Sequence, residues 1–257
     1  MMKTFYYLTC AVVAQTFAIG ICKAQTLELK PAPAGVVIDG SSKEWGDSMP
    51  YTYKKVTYNL SNDKDNLYLV IKTKDADMQS SILGAGVTFA IDTKGKKKSS
   101  YVVTFPAVPA DMDQSRYMNM NPATIKTNLT FASKYGKMTV SGFKDFSDGD
   151  MTADNTYGVK TAIGYDNDGY MVYEEVIPLK LFHADDTMKE WAFNIKFNPV
   201  QGKGRVETVA RTDRAAQDAN RDRGRNDFAS AARRDVPMVD LTTETDFWGK
   251  FSLAKAQ

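Results

Sequence analysis

The strongest constraint on this chain is a two-residue period. Val87, Phe89 and Ile91 alternate with Thr88, Ala90 and Asp92, and Tyr101, Val103 and Phe105 follow at the same spacing. Trp191, Phe193, Ile195 and Phe197 alternate with Ala192, Asn194 and Lys196. Tyr157, Val159, Thr161, Ile163 and Tyr165 repeat the pattern, and Asp166-Asn167-Asp168-Gly169 then supplies hairpin chemistry before a further strand over 170–177. Successive side chains on a strand point to opposite faces, so each segment can bury only one of them. Leu67-Tyr68-Leu69-Val70-Ile71 is instead a continuous apolar run, as expected of a strand covered on both faces, and 247–253 forms a closing strand. Helical periodicity is confined to one turn at 178–182 and short stretches at 212–219 and 227–233. The expected fold class is all-β: a two-sheet antiparallel β-sandwich with jelly-roll or immunoglobulin-like layering, long polar loops and one or two short helices.

The first 24 residues read differently. Lys3 precedes a mostly apolar, uncharged run over 5–21, and Cys22-Lys23-Ala24 places small residues at −3 and −1 before Gln25. This is the pattern of a secretory signal peptide, with a membrane anchor or a lipid-modified Cys22 as alternatives. The chain is therefore expected to be exported, to a periplasmic, outer-surface or secreted location, and a bacterial envelope suits its lack of further cysteine. Without Lys3 and Lys23, the 33 basic residues fall to 31 against 31 acidic ones. Charge balance argues against nucleic acid as a partner, because counterion displacement needs a basic surface. Both cysteines, Cys10 and Cys22, leave with the leader, so residues 25–257 have no disulfide, thiolate nucleophile or Cys-ligated metal. No later apolar run is long enough for a transmembrane segment.

About 230 residues fit one all-β domain over 25–257. Two polar stretches interrupt it. Residues 112–127 are Met/Asn-rich, and the excursion at 205–235 mixes eight arginines with acidic residues.

The order of short motifs resembles carbohydrate-binding module family 9 and related DOMON-like sandwiches. Val37-Ile38-Asp39-Gly40 with Glu44-Trp45 matches the opening, Asp65-Asn66-Leu67-Tyr68-Leu69 the turn into a buried strand, and Phe89-Ala90-Ile91-Asp92 the middle strand. Residues 170–178, 191–195 and 247–251 match the later strands, so the resemblance spans about 36–253. It implies an exported, non-catalytic binding module for a carbohydrate or other glycan. In that family a sugar ring is held between aromatic side chains, one of them in the loop before the middle strand. Here that loop, 75–86, has no aromatic, so Tyr51, Tyr53, Tyr117 and Trp248 are the candidate carbohydrate-binding rings, with packing as the alternative for each. Asp39 and Gly40 are expected to form a turn, Trp45 to plug one end of the sandwich, and Trp191 to be core.

Other chemistries were weighed by residue type. Glu174 and Glu175 are expected at an edge or rim, but neighbours on a strand face opposite ways and cannot flank one glycosidic bond. No Ser sits in a nucleophile elbow and no phosphate loop is present, so the chain is read as a non-enzyme. The family can hold structural calcium. Asp63, Asp65 and Asn66, then Asp145, Asp148, Asp150 and Asp154, then Asp166 and Asp168 are the oxygen-rich clusters, each equally a plain turn. Haem binding, known among DOMON-like relatives, would call on His183 with methionines such as Met118 and Met120, although His183 reads as an exposed turn. Lys94, Lys96, Lys97 and Lys98 around Gly95 read as a solvated hairpin tip, with polyanion contact as the alternative. The expected partner is a glycan or a cell-envelope component, and an envelope structural or protein-interaction domain is the second functional class.

Overall fold

A computed structural model describes residues 26–46, 49–108, 136–185, 189–200 and 245–255. The leader, Tyr117, the 112–127 stretch and the Arg-rich excursion, including the two short helices expected at 212–219 and 227–233, lie outside the described residues. The described residues form two sheets. One runs β1 (Leu27–Glu28), β13 (Thr245–Ser252), β12 (Trp191–Phe197), β6 (Val87–Asp92), β7 (Tyr101–Phe105), β8 (Lys137–Ser141) and β9 (Gly149–Thr152). The other runs β10 (Lys160–Tyr165), β11 (Met171–Pro178), β5 (Asn66–Thr73), β4 (Val56–Asn62) and β2 (Lys30–Pro31), with β3 (Tyr51–Tyr53) sharing the free edge of β4.

The all-β, two-sheet reading holds. The pairing is antiparallel except at two edges, where β1 joins β13 and β2 joins β4 in parallel. The inward faces carry the predicted alternation: Val87, Phe89 and Ile91 meet Phe193, Ile195, Leu67, Leu69 and Tyr173 in one buried core. The β10–β11 hairpin turns at Asp166, whose carboxylate accepts the Asp168 and Tyr170 N–H groups at 3.0 and 2.8 Å. Tyr157, placed in a strand by its period, instead sits in the turn before β10.

The stretch over 75–86 is not a loop. It forms α1 (Ala76–Ala85), started by the Asp75 carboxylate accepting the Met78 N–H at 3.0 Å. Its buried residues include Gln79, Ser80 and Ser81, so no apolar stripe announced it. Tertiary hydrogen bonds satisfy those polar groups: Gln79 donates to the Thr73 carbonyl and Ser81 to the Asn198 carbonyl.

The outer face of the β10–β11–β5–β4 sheet is closed by residues 32–46 together with Met49. Trp45 and Tyr68 meet edge to face at 5.8 Å over Val70, Val172 and Val176, with Ala32, Val36, Ile38 and Met49 around them. This explains the continuous apolar run of β5: Tyr68 and Val70 serve this second core while Leu67, Leu69 and Ile71 serve the first. Trp45 is buried as expected, but over a sheet face rather than at an end of the sandwich, because its indole is drawn to a carboxylate on β11. The cover lies close on β10. A side chain at Gly40 (φ +81°) would place its Cβ 2.4 Å from the Gly164 nitrogen, and one at Gly164 would strike the Gly40 carbonyl.

Candidate functional site

Glu174 and Glu175 point to opposite faces, as alternation requires, but neither lies at a rim: both have 0% exposure. Glu174 faces the cover. Its Oε2 accepts the Asp39 and Gly40 N–H groups at 3.0 and 2.7 Å, and its Oε1 accepts the Trp45 indole N–H at 2.7 Å. Burial pushes its pKa up even so, with the three donors pulling the other way. Asp39 contributes the expected turn, its carboxylate accepting the Ser41 N–H at 2.8 Å.

Glu175 faces the core between the sheets. One oxygen accepts the Tyr173 hydroxyl at 2.6 Å and the other has no partner. Its cross-strand neighbour Thr161 also holds a buried, unpartnered hydroxyl. Burial raises Glu175 to about 8, so it is a neutral acid at neutral pH. These carboxylates are structural, and they are not a catalytic pair.

The three aromatic candidates among the described residues, Tyr51, Tyr53 and Trp248, do not converge. Tyr51 packs on Tyr58 at 5.3 Å, and Tyr53 on Phe247 at 4.1 Å, within a group of rings that bridges the two sheets. The Tyr53 hydroxyl donates to the Asp246 carbonyl at 3.1 Å. Trp248 lies opposite Asn194 on the outer face of the β12–β13 pair, half-buried, away from Tyr51 and Tyr53. Trp191 is core, meeting Phe182 and Phe251 edge to face at 5.3 and 5.8 Å.

The oxygen-rich turns use their carboxylates locally. Asp63 accepts the Asp65 and Asn66 N–H groups, both at 2.7 Å, and the Tyr68 hydroxyl at 2.7 Å. Burial acts to raise Asp63, and these donors outweigh it, holding its carboxyl below the usual range. Asp65 is exposed beside Lys64. Asp148 accepts the Gly142 N–H at 2.8 Å, and Asp150 accepts the Thr139 hydroxyl at 3.3 Å. Among the described residues no three His, Cys, Asp or Glu side chains gather as a metal site. His183 forms an exposed left-handed turn at φ +43°, its Nε2 2.7 Å from an Asp145 carboxylate oxygen.

The concave site lies elsewhere, and sequence reasoning missed it. A cleft of about 710 Å³ opens at one end of the sandwich, where the 3-10 turn Leu179–Phe182 and the chain after it meet β1, the start of β12 and the end of β13. Leu179, Ala184, Trp191 and Leu253 give it apolar surface. Lys180, His183, Lys189 and Lys255 add cationic or imidazole groups, with Glu28, Asp185 and Ser252 between them. Its volume is within the range of small-ligand sites, and apolar patches beside charged hydrogen-bonding groups suit a ring with an apolar face and a hydroxyl rim. Of its lining residues, the sequence marks Trp191 as core and His183 as an exposed turn or haem candidate, neither of them as part of a cleft. The signal available in sequence was the density of Lys and His over 180–189, which straddles a turn and a strand start and has no period.

Comparison of the chain with protein-family models gives no match, and comparison with curated proteins gives none either. No described helix is long and apolar enough to cross a membrane.

Proposed function

We propose that this chain is an exported, non-catalytic binding module for a glycan. The observation that carries the reading is the end cleft: a preformed concavity of about 710 Å³ with apolar surface and a surround of ammonium, imidazole, carboxylate and hydroxyl groups. The commitment of Glu174 and Glu175 to the two cores supports a binding role over hydrolysis, which needs two carboxyls facing one bond. The leader-like first 24 residues and the motif order shared with family 9 modules support export and carbohydrate as the ligand class.

Affinity gel electrophoresis and a glycan array on the purified chain test this. Retardation or array binding that is lost in Lys189→Glu/Lys255→Glu is expected, and failure to bind any glycan at millimolar concentration would overturn it.

A further inference from the structure

The β6–β7 connection is built around one buried carboxylate. Asp92, 2% exposed, accepts the backbone N–H groups of Lys94, Lys96 and Lys98 at 2.9, 2.8 and 3.1 Å, and its carbonyl accepts the Gly95 N–H at 3.1 Å. With the backbone turned inward onto Asp92, the four side chains Lys94, Lys96, Lys97 and Lys98 are all exposed. Gly95 takes φ +65° freely, having no Cβ, whereas Lys97 at φ +56° occupies a region few residues with a Cβ adopt. A sequence needing only a soluble turn has no use for four like charges fixed close together, since like charges at short range repel.

The loop stands beside the cleft. Gly95 lies against the Glu190 backbone so closely that a Cβ there would sit 2.9 Å from its carbonyl oxygen. Glu190 is itself neutralised: its carboxylate takes the Lys250 ammonium and the Thr26 hydroxyl, and the Lys250 bond, with Thr26 second, holds its carboxyl below the usual range. The next residue back, Lys189, lines the cleft together with Lys180 and Lys255. A chain with balanced charge over 25–257 thus places four lysines on a loop that touches Glu190 and three more in the neighbouring cleft, where Glu28 and Asp185 are the carboxylates of the lining.

We propose that the ligand is an acidic polysaccharide, carrying carboxylate or sulfate groups, that seats one residue in the cleft and lays its neighbouring acidic residues along the Asp92-organised lysine loop. This rests on the glycan reading above and names its substrate class. Four exposed ammonium groups carried on one backbone loop favour an anionic polymer over a neutral one, and Asp92 already orders that backbone before the ligand arrives.

The test is affinity electrophoresis of the purified chain through gels containing polygalacturonate or neutral dextran, at low and high salt, with flotation on phosphatidylglycerol vesicles as a third arm. Retardation is expected in polygalacturonate alone, weakening with salt, and falling about tenfold in Lys94→Ser/Lys96→Ser/Lys97→Ser/Lys98→Ser. That variant changes exposed side chains only, and an unaltered thermal midpoint shows that it folds. Equal retardation by dextran, or full binding by the four-serine variant, overturns the acidic class while leaving the glycan reading intact. Retention on vesicles without retardation by either polysaccharide overturns both.

Discussion

Two segments of this molecule are each organised by a single buried carboxylate that accepts three N–H groups, and they have opposite outcomes. Glu174 gathers the Asp39 and Gly40 backbone and the Trp45 indole, pulling residues 32–46 down over a sheet so that Trp45 and its apolar neighbours leave water. Asp92 gathers the backbone of Lys94, Lys96 and Lys98, and leaves every one of those side chains in water. The hydrogen-bond chemistry is shared and the residues carried differ. The first device closes a second core and belongs to stability. The second displays charge, and the proposed acidic-glycan binding draws on it. Glu175, facing the inter-sheet core with a single donor and one oxygen unpartnered, is a buried carboxyl without such a loop, and burial raises it to about 8.

The sharpest way to break the comparison is Glu174→Ala. It orphans three donors, two of them buried, and unfolding in urea is expected to show a loss of about 3–4 kcal/mol; a loss under about 1 kcal/mol would mean that the cover is held by its apolar contacts alone. Glu174→Gln sets an amide N–H₂ against a donor and is expected to lose about 2 kcal/mol, whereas Glu175→Gln can donate to Thr161 and accept from Tyr173.

The next effect is one of pH. The folded chain holds the Glu175 proton up to about 8, whereas an exposed glutamate releases it near 4.5. Its contribution is therefore full below 4.5 and is lost as pH rises to 8, on the order of 1 kcal/mol per unit. Urea midpoints between pH 5 and 8 check this, and Glu175→Gln is expected to remove that share of the slope. An unchanged slope in the variant would assign the pH dependence to other groups.

Asp92→Ala is expected to cost less, about 1–2 kcal/mol, because water can reach much of the lysine loop. Its larger effect is on polygalacturonate retardation, since the lysines remain but are no longer fixed. The four-serine variant is expected to shift stability by under about 0.5 kcal/mol.

What the sequence disclosed follows the same division. Strands whose inward side chains alternate were legible because apolar and polar residues on a strand have opposite fates, as in β6, β7 and β12. Helix α1 was not, since Gln79, Ser80 and Ser81 are buried by hydrogen bonds to distant carbonyls rather than by an apolar stripe. Trp45 was legible as buried, but its place depended on Glu174, 129 positions away. The aromatic candidates were chosen by residue type, and packing accounts for Tyr51 and Tyr53. The cleft was invisible because it is assembled from β1, the β11–β12 connection and the end of β13, which only folding brings together.

The most direct test of the account is a backbone amide NMR titration of the chain with a galacturonate oligosaccharide. Shifts concentrated in 93–100, 179–185, 189–191 and 252–255 are predicted, with the cover at 32–46 unmoved. Shifts centred on Tyr51, Tyr53 or Trp248, or none at millimolar ligand, would contradict it.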